Sequence, residues 1–220
     1  MKAMILAAGR GERMLPLTAH TPKSLLTVAN KPLIVYHLEN LAAAGFTDIV
    51  INVSYLGEQI ITALGDGSRW NMHINYIVEK KPLEVAGGII NALHLLSDTS
   101  FITINADIWT DYPLANLKNT PVEYAHLVLT TTPDYYPQGD FSLADNRLIP
   151  ALPHQGLIAM GITLYHPQFF AGMTPGIKPM GILWHQAVTR GELTGEHYQG
   201  KWFDVGTPER LNKVNQLLCG

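Results

Sequence analysis

The chain holds one cysteine, Cys219, in 220 residues. An internal disulfide is therefore excluded, and a Cys/His zinc cluster is disfavoured. Charge is sparse: Asp, Glu, Lys and Arg make up 15% of the chain, with a net charge of −3. A nucleic-acid binder presents a basic face, and the few bases here are scattered. Long apolar runs are missing too. "MKAMILAAG" is too short for a membrane helix, meets Gly and Arg at once, and reads as an opening strand. The expectation is a cytoplasmic protein with no nucleic-acid or membrane partner. Two nucleotide signatures are also absent. No G-x-x-x-x-G-K-[ST] string occurs, so there is no Walker A loop. The Rossmann fingerprint needs a third glycine where Met14 stands, and an acid about 20 residues further on. No Asp or Glu lies between Glu12 and Glu39.

What is present is enough apolar residue, 47%, to fill a sizeable core. The first half alternates strand and helix signals. Met1–Ala8 reads as a buried parallel strand. Pro32 can occupy the first turn of the helix "LIVYHLENLAAAG", which stops at Gly45. Strands follow at Asp48–Ser54, His73–Glu79 and Phe101–Asp107. They are separated by the helices "YLGEQIITALGDG" and "AGGIINALHLLSD". This β-α-β-α-β-α-β order predicts a doubly wound, mostly parallel α/β sheet of Rossmann-like, mixed type. The second half has strands in "EYAHLVLTTT", "GLIAMGITLYH" and "HYQGKWFDVG", a helix in "MGILWHQAVTRG" and a closing helix in "TPERLNKVNQLL". Thr207 can cap that last helix, with Leu211, Val214, Leu217 and Leu218 as its apolar stripe. The economical reading is one domain over 1–220, made of two halves, 1–118 and 119–220, that differ in pattern.

The stretch "LAAGRGERMLPLTAHTPKSLL" (Leu6–Leu26) puts a glycine turn and cations after the first strand. Backbone amides of such a turn can form a nest for anions. Arg13 can fork onto phosphate oxygens, and Lys23 offers a compact charge where negative charge grows during reaction. The full string resembles the L-A-A-G-x-G-x-R-(L/M)-x-P-L-T…P-K-x-L motif of the sugar-1-phosphate nucleotidyltransferases. The resemblance extends through "NADIWTD" to "WFDVGTPERL", essentially the whole chain. Within that family the small size and "ALGDGS", "PLEVAGGI" and "GEHYQGKWFDVGTPERL" are most similar to the uridylyltransferases of N-acetylmuramate 1-phosphate. Other family activities, glucose-1-phosphate thymidylyl and mannose-1-phosphate guanylyl transfer, remain alternatives. So does a catalytically silent sensor on the same fold.

The resemblance implies Mg²⁺-dependent transfer from UTP to a sugar 1-phosphate, with Arg13 and Lys23 as catalytic residues. It maps the metal aspartates onto Asp107 and Asp204, with Asp111 a rival better read as a cap. Nucleotide contacts fall to Ala8, Gly9, Gly11, Glu12, Arg13 and Lys23, then Glu79, Gly87 and Asn105. Gly87 and Gly88 would let a ring approach the backbone. Sugar contacts fall to Asp140 and Lys178, with Arg147 and Lys201 as rival cations, and Trp109 would wall the sugar pocket. Leu15 stands where arginine is frequent, so one phosphate contact is lost unless Arg10 or Arg13 covers it. Val85 and Ala106 replace a frequent threonine and glycine. No Glu-Lys pair lies near "ALPHQGLIAMGI", which disfavours glucose 1-phosphate. The nine histidines show no metal-ligand spacing. A monomer or weak dimer is expected.

Overall fold

The computed structural model describes residues 1–96 and 99–219. In chain order the strands and helices are β1 (Ala3–Leu6), β2 (Thr27–Val28), β3 (Lys31–Pro32), α1 (Leu33–Ala43), β4 (Asp48–Val53) and α2 (Gly57–Leu64). Then come β5 (His73–Val78), α3 (Glu84–Ala92), β6 (Phe101–Asn105), β7 (Ile108–Thr110), β8 (Ala125–Thr131), β9 (Phe141–Ala144) and β10 (Arg147–Pro150). The chain ends with β11 (Leu157–Tyr165), α4 (Met180–Thr189), β12 (Leu193–His197), β13 (Trp202–Asp204) and α5 (Pro208–Cys219).

Nine strands form one mixed sheet in the order β5-β4-β1-β6-β11-β8-β12-β10-β9. The run β5-β4-β1-β6 is wholly parallel, and β12 pairs parallel with β8. The antiparallel strand β11 joins these two parts. The expected doubly wound α/β sheet is therefore present, with helices on both faces. The chain steps from β1 out to β4 and β5, then returns to the other side of β1 as β6. That reversal makes a switch point between β1 and β6, where ligands enter such sheets beyond the carboxyl ends of the strands.

Period-two alternation splits each central strand between two cores. Ala3, Ile5 and Ala7 of the β1 segment pack with Ile34, Leu38 and Leu41 of α1 and with Ile60 and Leu64 of α2. Met4 faces the other side with Ile89 and Ile90 of α3 and with Met180 and Ala187 of α4. A third, smaller core holds Met14, Val28, Leu33, Leu211 and Val214. Met14, in the place of a Rossmann third glycine, is fully buried there. The loop folds back onto α5 instead of opening a helix.

Several bounds differ from the expectation. Ala7 leaves the ladder because its amide is taken by the side chain of Asn52 at 3.0 Å. Pro32 ends β3 and precedes α1, outside its first turn. The third expected helix starts earlier, at Glu84, and ends at Ala92. Its start is fixed from far along the chain, because the carbonyl of Lys178 accepts from the amides of Ala86 and Gly87. The tail of that expected helix, 97–98, lies outside the described residues. Leu217 is 55% exposed and does not extend the α5 stripe, whereas Leu218 does pack there. The expected strand at "HYQGKWFDVG" is broken. His197 ends β12, and Asp111 holds the intervening turn through the Tyr198 hydroxyl (2.7 Å) and the Lys201 amide (2.8 Å).

Burial sets one titration. His37, on α1, is buried and its Nε2 has no partner among the described residues. Desolvation pushes its pKa from 6.5 down to about 4, against a smaller upward pull from its hydrogen bond to the Ile108 backbone. Below pH 6.5 the unfolded chain takes a proton that the folded chain refuses, so stability falls until about pH 4. Urea denaturation at pH 7 and pH 5 should show roughly 2 kcal/mol lost from this group. His37→Gln, which does not titrate, should remove that part of the loss.

Candidate active site

The switch point opens into a cavity of about 490 Å³. Its walls include Ala8, Gly9, Arg10, Gly11, Glu12 and Arg13 from the glycine loop. Lys23, Asn52, Glu79, Asn105 and Asp107 line it from the loop and the ends of β4, β5 and β6, and Leu83 and Val85 add an apolar wall. The glycine loop is braced from behind. Gly11 takes a left-handed φ of 69°, and a Cβ there would stand 3.0 Å from Thr18 Cγ2 and 3.1 Å from Lys23 Cβ. Thr18 Oγ1 donates to the Gly11 carbonyl at 2.8 Å. Further out, the Tyr55 hydroxyl donates to Ala19 O and Gln59 to His20 O. At Gly9 a Cβ would meet nothing within 4 Å, so that backbone faces open space. Among the described residues no backbone carbonyl takes the amides of Gly9, Arg10 or Gly11. These donors are available to an anion.

Lys23 closes the near side. Its Nζ donates to Asp107 Oδ2 at 2.6 Å, and its side chain is nearly buried. Asp107 follows β6 directly. Asp204 reaches it through a two-stranded ribbon in which β13 pairs antiparallel with β7, placing Asp204 opposite Ile108. The Val205 amide then donates to the Asp107 carbonyl at 2.9 Å. Gly206 is part of the cavity wall, two residues beyond Asp204, which is not itself a wall residue. Asp204 has its carboxyl pushed above the usual range, mainly by burial and next by the charge of Asp107. Lys23, Arg210 and Arg13 pull it back down. Arg210 is also the direct ion-pair partner of Asp204.

Two carboxylates that sense one another offer hard oxygen donors suited to a divalent cation. Among the described residues no group of three or more potential ligands occurs. Asp111 plays no part, because its Oδ1 holds the turn before β13.

Other expected residues lie elsewhere. Glu79 lines the cavity, but both carboxylate oxygens are engaged: Oε1 accepts from Asn52 Nδ2 at 2.8 Å and Oε2 from the Leu83 amide at 3.0 Å. Its structural part is to brace the end of β5. Gly87 does not reach the cavity; a Cβ there would collide with the Gly176 carbonyl, so close packing explains it. Gly88 makes room for the brace, with a Cβ falling 2.7 Å from Asn52 Nδ2. Trp109 is packed into the third core against Tyr36 and Phe203 and is not a wall residue of this cavity. Lys178 lends its backbone to α3 and is not a wall residue. Asp140 Oδ2 accepts from the Ala159 amide at 2.9 Å, fixing the start of β11. Arg147 is spent on the Gly191 carbonyl, and Lys201 sits in the turn held by Asp111. Leu15 is 56% exposed and outside the cavity wall, so the residue lost there faced solvent. Arg10 and Arg13 both line the wall; Arg10 lies over the Tyr55 ring at 5.3 Å. Asn105 is seated under a bulge in β11, where Gly161 at φ 81° leaves the space.

The sequence pattern of the nucleotidyl transferase family matches residues 2–143. The chain belongs to that family. It is 44% identical to an N-acetylmuramate alpha-1-phosphate uridylyltransferase of Neisseria meningitidis serogroup B, over all of this chain and 99% of that protein. It is 30% identical to a glucose-1-phosphate thymidylyltransferase of Streptomyces griseus, over 99% of this chain and 66% of that protein. A Bacillus anthracis structure described as a glucose-1-phosphate thymidylyltransferase in complex with a sucrose superposes with a TM-score of 0.88. That match has 25% identity and covers 99% of this chain and 94% of the other. The nucleotidyltransferase is therefore one of the sugar-1-phosphate enzymes. No helix among the described residues is long and apolar enough to cross a membrane.

Two residues of this site carry no motif of their own. Asn52 shows only as a polar residue near the end of an apolar strand, and Arg210 as a base in the first turn of a helix. The Asn52 brace predicts a measurable coupling. Asn52→Leu removes the partner of the Ala7 amide and of Glu79 Oε1 and should cost about 3 kcal/mol in urea denaturation. Gly88→Ala acts on the same brace. The double variant should therefore lose clearly less than the sum of the two single losses.

Proposed function

We propose that this enzyme transfers a uridylyl group from UTP to N-acetylmuramate α-1-phosphate, giving the UDP-sugar and pyrophosphate. The observation that supports this reading is that the glycine loop, Lys23 and Asp107 line one cavity, with Asp204 electrostatically coupled to Asp107. The full-length relative at 44% identity supports the choice of base and sugar.

In this reaction an oxygen of the sugar phosphate attacks the α-phosphorus in line, and the bond to the bridging oxygen of pyrophosphate breaks. The attacking oxygen is already anionic, so no general base is needed. The site has to position and to neutralise charge. The amides of Gly9, Arg10 and Gly11 would receive the β- and γ-phosphates, with Arg13 forking onto them. Lys23 would set a point charge at the α-phosphate. Leu83 and Val85 offer a flat apolar wall to the base, and residues 119–220 supply the sugar side. Asp107 and Asp204 would hold Mg²⁺, which when bound neutralises phosphate charge. The setting would be peptidoglycan recycling in the cytosol.

A pyrophosphate-release assay over a grid of nucleoside triphosphates and sugar 1-phosphates tests this. The expected outcome is highest turnover with UTP and N-acetylmuramate 1-phosphate, dependent on Mg²⁺. Asp107→Ala, Asp204→Ala and Lys23→Ala should each lower kcat by about a hundredfold or more. Turnover that survives both aspartate changes would sink the metal assignment, and no turnover with any pair would favour a silent sensor.

A further inference from the structure

The segment 132–140 joins β8 to β9 on the carboxylate side of the cavity. Within it the Tyr136 amide donates to Pro133 O and the Gly139 amide to Tyr136 O, and at its far end the Asp140 amide donates to Leu157 O of β11 at 2.8 Å. Tyr135 is half exposed, yet its ring lies flat against a cation. The Cζ of Arg210 stands 3.5 Å from the ring centroid. The same guanidinium donates from Nη1 to Asp204 Oδ2. Gly206 provides the space. A Cβ there would come within 2.9 Å of both Arg210 Nη1 and Asp204 Oδ1.

Arg210 itself hangs from a rigid support. Leu211 and Val214 of α5 are buried, and Asn215 Oδ1 accepts from the Ala29 amide at 2.8 Å. One fixed side chain thus touches two groups from distant parts of the chain. Its edge meets a carboxylate of the site, and its face meets an aromatic ring in the middle of a segment whose far end is tied to β11 through Asp140.

We propose that Arg210 is a positioning residue that couples Asp204 to the 132–140 segment, which acts as a strap over the sugar side of the site. This rests on the sugar-nucleotidyl transfer reading above. A guanidinium suits both tasks at once, since its edge forms directed hydrogen bonds while its face remains free for a ring. A lysine could pair with Asp204 as a point charge, but it has no plane to stack. The strap enters from β8 and leaves into β9, whereas the nucleotide walls come from the glycine loop, β5 and α3. The ligand that meets the strap is therefore the phosphorylated sugar.

Three variants test the coupling: Arg210→Ala, Arg210→Lys and Tyr135→Ala. Two readouts are used, hydrogen–deuterium exchange of strap peptides without ligand, and steady-state kinetics with UTP and N-acetylmuramate 1-phosphate. Tyr135→Ala and Arg210→Lys should exchange about fivefold faster in the strap. They should raise KM for the sugar phosphate about fivefold, with kcat within about threefold and KM for UTP unchanged. Arg210→Ala should do the same and also lower kcat by about a hundredfold, because Asp204 loses its placement. Strap exchange equal to wild type in both Arg210→Ala and Tyr135→Ala overturns the coupling, as does an unchanged KM for the sugar phosphate in both. If Arg210→Ala does not fold, Tyr135→Ala on the exposed segment and Arg210→Lys decide it. If the wild type does not turn over this substrate, the function reading fails, while the exchange measurement still decides the coupling.

Discussion

Two carboxylates cannot be held side by side in a partly buried site without cations to offset their repulsion. That constraint shapes the active-site end of this molecule. The β7–β13 ribbon brings Asp204 within electrostatic reach of Asp107, and the Asp204 carboxyl is raised first by its burial and then by the charge of Asp107. Lys23 lies on Asp107 and Arg210 on Asp204, one cation for each. Both cations are fixed by structure well away from the carboxylates. Lys23 is held by the folded-back loop whose Met14 is core, and Arg210 by α5, which packs on that same core. The third hydrophobic cluster, small as it is, therefore sets the geometry of the charged site.

The sheet supplies the other half of the arrangement. The reversal of strand order at β1 and β6 opens a crevice where the glycine loop and Asp107 face one another. The loop amides, which no backbone carbonyl among the described residues takes, complement the carboxylate side. In the proposed reaction a nucleoside triphosphate would span the two, with its phosphates drawn to amides and cations and its base to the apolar wall. The Asn52–Glu79–Leu83 brace keeps that wall at a set distance from the loop, since Asn52 ties the Ala7 amide to the end of β5.

Much of this was legible in the residues. The glycine loop, Lys23, Asn105 and Asp107 stand where motif and strand order put them, because each sits within a few residues of an apolar strand that fixes its place. Asp204 was legible only through the likeness of "WFDVG" to a family pattern; nothing local says that its ribbon pairs with β7. Other expected residues have partners that the sequence does not display. Gly87 and Trp109 are taken up by packing, the Lys178 backbone by the start of α3 and Asp140 Oδ2 by the Ala159 amide, each with a partner more than 15 residues away. Sequence distance hides such partners. The β9–β10 hairpin did leave a trace, since Asp145 and Asn146 both take positive φ in its turn and those residue types tolerate that conformation.

The central claim is that Asp107 and Asp204 form one cation site completed by nucleotide phosphates. Electron paramagnetic resonance of Mn²⁺, titrated into the protein with and without a non-hydrolysable UTP analogue, tests it most directly. The account predicts weak Mn²⁺ binding alone and much tighter binding with the nucleotide, lost in Asp107→Asn and in Asp204→Asn alike. Tight nucleotide-dependent binding that persists in either variant would contradict it.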